Sequence, residues 1–277
     1  MVKLLYNEWV KSFALKEVKA VIIALPLVMC LLCMYAMFFE LPMLIPPSKG
    51  KLFVFWLNFY RVISWQFTYF TILGGCLMVC YAFKTEYDSA GWVKLNTLPL
   101  PAEIVLLAKV LAASFNLFLS LGLAACVVVA VAWLYPSLSP WFANPALPIT
   151  PEGLINKPSG IDGGLIARMM WNAWIHSLPL LALQGIMYLL LPKISLNMLA
   201  HIGLIALSFI RFFDFLPHCY HLYNVMAYQY SFYLRNQTFP PNWLGVYELQ
   251  SLYVFFGSAF LLTFFRQPFT QKLYASI

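Results

Sequence analysis

Long, unbroken apolar runs alternate with short polar breaks along this chain, and the runs set its architecture. They cover approximately residues 20–39, 62–83, 110–135, 167–191, 196–214 and 246–265. Each is near the ~20 residues a helix needs to cross the hydrocarbon core of a bilayer. The fifth run closes on Arg211 and Asp214, which stand at i, i+3 on one helical face. Lipid offers the backbone no hydrogen bonds, so only helices or closed barrels cross it. Barrel strands alternate apolar and polar at every second residue, whereas the run from Val21 to Phe39 is continuous. The pattern predicts an all-α integral membrane protein with about six transmembrane helices, forming a single transmembrane domain over 1–277.

The breaks carry their own pattern. In residues 1–19, Leu5, Trp9 and Phe13 recur at i+4, with Glu8, Lys11, Ser12, Lys16 and Lys19 on the other face. Such a helix is expected to lie in the membrane interface, its apolar face in the acyl boundary. Pro192 and Lys193 leave room only for a tight hairpin between the fourth and fifth runs. The stretch 136–166 holds Pro136, Pro140, Pro145, Pro148, Pro151 and Pro158, and reads as an irregular loop.

Composition narrows the class further. Of 277 residues, 62% are hydrophobic and only 10% charged, against roughly 25% charged in soluble domains. So few charges do not cover a water-soluble surface. The net charge of +7 sits mostly on lysines near run ends, which suits anionic headgroups; no clustered basic face points to nucleic acid. Lys3, Lys11, Lys16, Lys19, Lys84, Lys94, Lys109, Lys193, Arg266 and Lys272 outnumber Lys49, Lys51, Arg61, Lys157, Arg168, Arg211 and Arg235. The positive-inside rule then places both termini in the cytoplasm. Cys30, Cys33, Cys76, Cys80 and Cys126 lie inside apolar runs and read as small buried hydrophobes. No small-residue cleavage site follows the first run, so a cleavable signal peptide is not expected.

Two segments ask for a function. Residues 84–109 mix both charges with Trp92, Leu95 and Leu98 at helical spacing and stop at Pro99. This predicts a short amphipathic helix on the cytoplasmic side, either docking into a groove on a soluble partner or resting on the headgroups. Residues 215–245 form an aromatic outer segment that includes Tyr220, Tyr223, Tyr228 and Phe232. It reads as a re-entrant segment in the outer leaflet, though an aromatic belt at the interface explains part of the pattern.

An interfacial N-terminal helix, six spans and a bulky segment before the last one make up this layout. With Glu86, Gly91, Trp92, Leu98, Pro99 and Lys109 after the second span, the chain resembles the permease subunits of type-2 ATP-binding-cassette (ABC-2) exporters. Where many members place an arginine shortly after the proline, this chain has Leu100-Pro101-Ala102. The resemblance implies that Glu86, Gly91, Trp92, Leu95, Leu98 and Pro99 form a coupling helix seated in a cytoplasmic ATPase subunit, present in two copies. It implies a second permease copy or a related permease, and a bacterial cytoplasmic (inner) membrane. ATP and Mg would be bound by the partner, with no cofactor in this chain. Substrate would leave through or beside the aromatic outer segment, with Tyr220, Tyr223, Tyr228 and Phe232 as pathway or outer-gate candidates.

Catalytic chemistry is sparse. There is no G-x-x-x-x-G-K-[ST] loop, so ATP hydrolysis is expected in a separate subunit and not here. There is no H-E-x-x-H helix and no G-x-S-x-G elbow. His218, Cys219 and His221 are the best metal candidates, but no second cluster completes a site. His176 and His201 lie within the fourth and fifth runs, where each would face a conduit or bond a neighbouring helix. Arg211 and Asp214 are intramembrane polar candidates. Two further readings stand beside the permease: a non-transporting scaffold or sensor of an envelope complex, and a metal-dependent membrane enzyme.

Overall fold

Local sequence decides where the helical path breaks. The first break falls at Leu15, whose extended backbone (φ −64°, ψ 131°) separates α1 (Val2–Ala14) from α2 (Lys16–Tyr35). The computed structural model describes residues 2–40, 51–88, 102–142, 163–208 and 252–257. Its further elements are a π-helical turn (Ala36–Glu40), α3 (Lys51–Asp88), α4 (Ala102–Phe142), α5 (Gly163–Leu190) and α6 (Ile194–Ser208), with a short helical stretch at 252–257.

Among the described residues, four helices are long and apolar enough to cross a membrane: Lys16–Phe38, Val62–Thr85, Ile104–Tyr135 and Gly163–Leu190. They coincide with the first four expected spans. The fifth is represented by α6, which is apolar but 15 residues long; residues 209–214 lie outside the described residues. So do most of the sixth span and the whole of segment 215–245.

Two expectations need correction. The helix α4 continues through Pro136 and Pro140 to Phe142, where an irregular loop was expected from 136 onward. A proline removes one N–H but keeps a helical φ, so an apolar stretch such as Pro140-Trp141-Phe142 need not leave the helix. Likewise α3 starts at Lys51 and ends at Asp88. The segment expected at 84–109 therefore narrows to 89–101 between helices, and Glu86 stands on the last turn of α3.

Packing follows from the faces. On α2 the stripe Val18, Ile22, Pro26, Met29 and Cys33 is buried, while Ile23, Leu27, Leu31 and Tyr35 point outward as a lipid-facing stripe. The hub is α4, which packs against α1, α2, α3 and α5. The most enclosed span is α5, with 83% of its apolar window buried against 39% for α2.

Close approach of these helices depends on small residues, as in other membrane bundles. A Cβ on Gly75 of α3 would lie 2.7 Å from Leu181 of α5 and 3.0 Å from Leu117 of α4. Both leucines are fully buried, so their side-chain ends would have to shift within a packed core. Pro26 poses the opposite problem, because it leaves the Ile22 carbonyl without its helical donor. Ser120 of α4 donates its hydroxyl to that carbonyl at 3.3 Å, a repair that lets a proline persist inside a span.

Gly75→Val should therefore lower the thermal unfolding midpoint in detergent, at a cost of about 1–3 kcal/mol for overpacking. Gly122→Ala, whose added carbon meets only Met170 Sδ at 3.9 Å, should leave the midpoint unchanged or raise it by the ~0.5–1 kcal/mol of better helix propensity. The reverse order of the two midpoints would contradict this packing.

Candidate functional site

Polar side chains inside an apolar bundle are costly unless paired, so they mark where this fold is doing something specific. Two clusters stand out among the described residues. The first joins α1 to α4. Glu8 and Ser12 stand one turn apart on α1, and Lys109 and Asn116 stand two turns apart on one face of α4. Glu8 Oε2 meets Lys109 Nζ at 2.5 Å and Glu8 Oε1 meets Lys11 Nζ at 2.9 Å. One turn on, Trp9 Nε1 donates to Asn116 Oδ1 and Asn116 Nδ2 donates to Ser12 Oγ, both at 2.9 Å. The Trp9 ring also meets Phe115 edge-on, with centroids 5.3 Å apart.

This arrangement corrects the expected orientation of α1. Glu8 and Ser12 are each only 4% exposed; they do not share a solvent face with Lys11. The helix has three sides. Val2, Tyr6, Val10 and Phe13 stay exposed as an apolar flank suited to the acyl boundary. Lys3, Asn7 and Lys11 form a polar flank, and the edge between the two flanks plugs into the bundle. A two-sided pattern missed the third side because Glu8 and Ser12 look like ordinary surface residues until Lys109 and Asn116 are placed opposite them.

Charge makes the joint strong. Burial works to raise the pKa of the Glu8 carboxyl. The Lys109 and Lys11 ammoniums outweigh it by charge and hydrogen bond, and the net value lies below the ordinary 4.5. A small recess beside the pair is lined by Glu8, Lys11, Ser12, Ala82, Thr85, Lys109 and Ala112. Ala82 and Thr85 belong to the end of α3, while Lys109 and Ala112 belong to the start of α4. The joint thus ties α1 to α4, with the end of α3 lining the recess beside it.

The second cluster lies deeper, between α3, α5 and α6. Cys76 and Cys80 stand one turn apart on α3; Asn197 and His201 stand one turn apart on α6 and face them rung by rung. Cys76 Sγ lies 2.9 Å from His201 Nε2, and Cys80 Sγ lies 3.8 Å from Asn197 Oδ1. Gln184 of α5 donates through Nε2 to Cys80 Sγ at 3.1 Å and also to Asn197 Oδ1. Asn197 Nδ2 reaches back to the Leu191 carbonyl at 3.4 Å, closing the α5–α6 hairpin. Cys76, Cys80, Gln184, Asn197 and His201 are all fully buried. The cysteines are therefore hydrogen-bonding partners as well as small hydrophobes. Among the described residues no three of His, Cys, Asp and Glu are arranged to hold a metal ion.

The other expected site residues fall as follows. His176 is buried on α5, away from both clusters' bonds. Glu86 lies on the last turn of α3. Gly91, Trp92, Leu95, Leu98, Pro99, Arg211, Asp214, His218, Cys219, Tyr220, His221, Tyr223, Tyr228 and Phe232 lie outside the described residues. Sequence reading passed over Asn116, Gln184 and Asn197. Their signal was available, since each is an amide inside an apolar run, and such residues seek partners on other helices.

The chain matches no protein-family model, no curated protein and no solved structure.

Each cluster makes a prediction. Lys109→Met removes the buried partner of the Glu8 carboxylate, leaving it only Lys11, and should cost up to about 3–5 kcal/mol, whereas the Glu8→Gln, Lys109→Met double variant should recover most of it. Because the Glu8 pKa is depressed, its share of stability is complete above pH 4.5 and is lost as pH falls through the lowered value. A double-mutant cycle of unfolding midpoints, run at neutral pH and again near pH 3, checks both; additive costs at neutral pH would dismiss the pairing. In the deeper cluster, Asn197→Leu removes a partner of Gln184 and Cys80 and loosens the hairpin. Cys80 should then react with N-ethylmaleimide several-fold faster than in the wild type, as read by intact mass.

Proposed function

We propose that this chain is a transmembrane permease subunit of an ATP-driven ABC-2-type exporter. It would reside in a bacterial cytoplasmic membrane with both termini in the cytoplasm. In this reading the chain hydrolyses nothing itself. Two copies of a separate cytoplasmic ATPase subunit bind ATP and Mg, and a second permease copy or a related permease completes the pathway.

The observation that carries the reading is the joint around Glu8 and Lys109. A push on residues 89–101 reaches the bundle through the end of α3 and the start of α4, where Thr85 and Lys109 stand. The buried ion pair and the Trp9–Asn116–Ser12 bonds make α1 move with α4. Displacement of the start of α4 is then shared by α1, which suits a part that transmits work from a soluble engine. The coupling role of Glu86, Gly91, Trp92, Leu95, Leu98 and Pro99 belongs to this proposal, as does the outer-gate role of Tyr220, Tyr223, Tyr228 and Phe232.

Purification from the native host in gentle detergent, followed by mass spectrometry, tests the proposal. A soluble subunit bearing a G-x-x-x-x-G-K-[ST] loop should co-purify in stoichiometric amount, and the Trp92→Ala, Leu98→Ala double variant should release it while the permease stays folded. Reproducible absence of any such subunit from intact, folded protein would overturn the reading.

A further inference from the structure

Sulfur is concentrated in the second half of α2. The buried row of that helix starts with the aliphatic Val18 and Ile22, and past Pro26 it turns to Met29 and Cys33. Met37, in the π-helical turn that follows, continues it, and Met29, Cys33 and Met37 are all fully buried. Cys30 and Met34 lie beside that row, partly buried against the same core. Five of the nine residues from 29 to 37 thus carry sulfur. Apolar burial alone does not ask for this. Leucine fills a core with better-defined rotamers, and the same helix uses it at Leu25, Leu27, Leu31 and Leu32.

Helical spacing makes these sulfurs neighbours, because positions three and four apart share a face. Cys33 therefore has Met29 and Cys30 in the turn before it and Met37 in the turn after. Its thiol is oriented from α3, donating to Gln66 Oε1 at 3.4 Å. At Ala36 the winding changes from α to π, an irregularity that recurs at functional sites. Thiolates and thioethers are soft ligands, and the soft monovalent cation they select is Cu(I).

Burial then chooses the charge. An uncompensated charge is costly in so dry a place. Cu(I) brings none, because it takes the place of the Cys33 thiol proton and the resulting copper–thiolate unit is neutral. Thioethers complete the coordination without adding charge. A divalent cation needs a second thiolate for neutrality, and zinc prefers a closed shell of four thiolate or imidazole ligands.

We propose that Met29, Cys30, Cys33 and Met37 form a binding site for Cu(I) within α2. Cys30, the more accessible of the two thiols, receives the ion first and releases its proton to water. As copper passes to Cys33, the Cys33 proton moves to Cys30, so the Cys30 thiol is restored. Met29 and Met37 hold the ion from either side of Cys33. The inference is independent of the exporter reading.

Anaerobic titration of the full chain in detergent with Cu(I), in competition with bicinchoninate, tests it. One Cu(I) per chain should be withdrawn from the coloured dye complex, with release of one proton. Cys33→Ser should weaken binding by more than the roughly 10–100-fold that an outer partner of a metal is worth. Met29→Leu and Met37→Leu conserve volume; each should weaken binding several-fold with the unfolding midpoint nearly unchanged, and they decide the matter if Cys33→Ser misfolds. Cys76→Ser, Cys80→Ser and Cys126→Ser, on other helices, should leave the affinity as it is. Losses spread evenly over all the cysteine variants, methionine variants that bind like the wild type, or Zn(II) bound as tightly as Cu(I) would overturn the proposal.

Discussion

A hydrocarbon solvent cannot hydrogen-bond, so polar groups this bundle takes into the membrane turn to the protein. Short hydroxyls such as Thr68, Thr71 and Ser177 turn to carbonyls of their own helix, longer side chains to other helices. That constraint, more than apolar packing, chooses which helices meet and in what register. Apolar surfaces alone would leave α2 free to slide or rotate on α4, because lipid is as apolar as leucine. Its position is instead fixed by the Ser120 hydroxyl meeting the carbonyl that Pro26 leaves open. On the far side of the bundle α6 is placed by two rungs, Cys76 with His201 and Cys80 with Asn197, and Gln184 stitches the second rung to α5.

The same rule explains what the sequence disclosed and what it withheld. Span positions depend on hydropathy summed over many residues, and Lys16–Phe38, Val62–Thr85, Ile104–Tyr135 and Gly163–Leu190 fall where the apolar runs do. Helix ends depend on single residues and were harder to place. Pro136 and Pro140 looked like the start of a loop, yet α4 runs through them. Pairings between distant helices were hardest. Nothing in the local pattern of α1 distinguishes Glu8 from a solvated glutamate; its partner is far along the chain. His201 was legible as an intramembrane polar residue with a neighbouring helix as one of its two outlets, but Cys76 as that neighbour required the fold.

The two clusters differ in kind. At the deeper one no carboxylate or ammonium takes part and the bonds run between α3, α5 and α6, so it specifies geometry within the bundle. At the shallower one a carboxylate is buried between two ammoniums, an arrangement whose desolvation cost can rival its attraction. Such a pair contributes specificity of position more dependably than stability. Here it fixes α1 in a single place against the start of α4. Trp9, half-buried with its indole N–H on Asn116 and its ring on Phe115, adds packing to that fixed point.

The separation of that pair along the chain bears on how the protein is made. Glu8 and Lys109 are 101 residues apart, and the first two apolar spans lie between them. A growing chain therefore exposes α1 to the membrane surface well before its counter-charge exists. During that interval the Glu8 carboxylate must stay in water or among headgroups, with α1 rolled so that its protein-facing edge is wet. Emergence of α4 from the insertion machinery is the first moment at which α1 can roll over and seat itself. The seating of the first helix is thus a late event in biogenesis, and it reports that the third span has entered in the correct orientation.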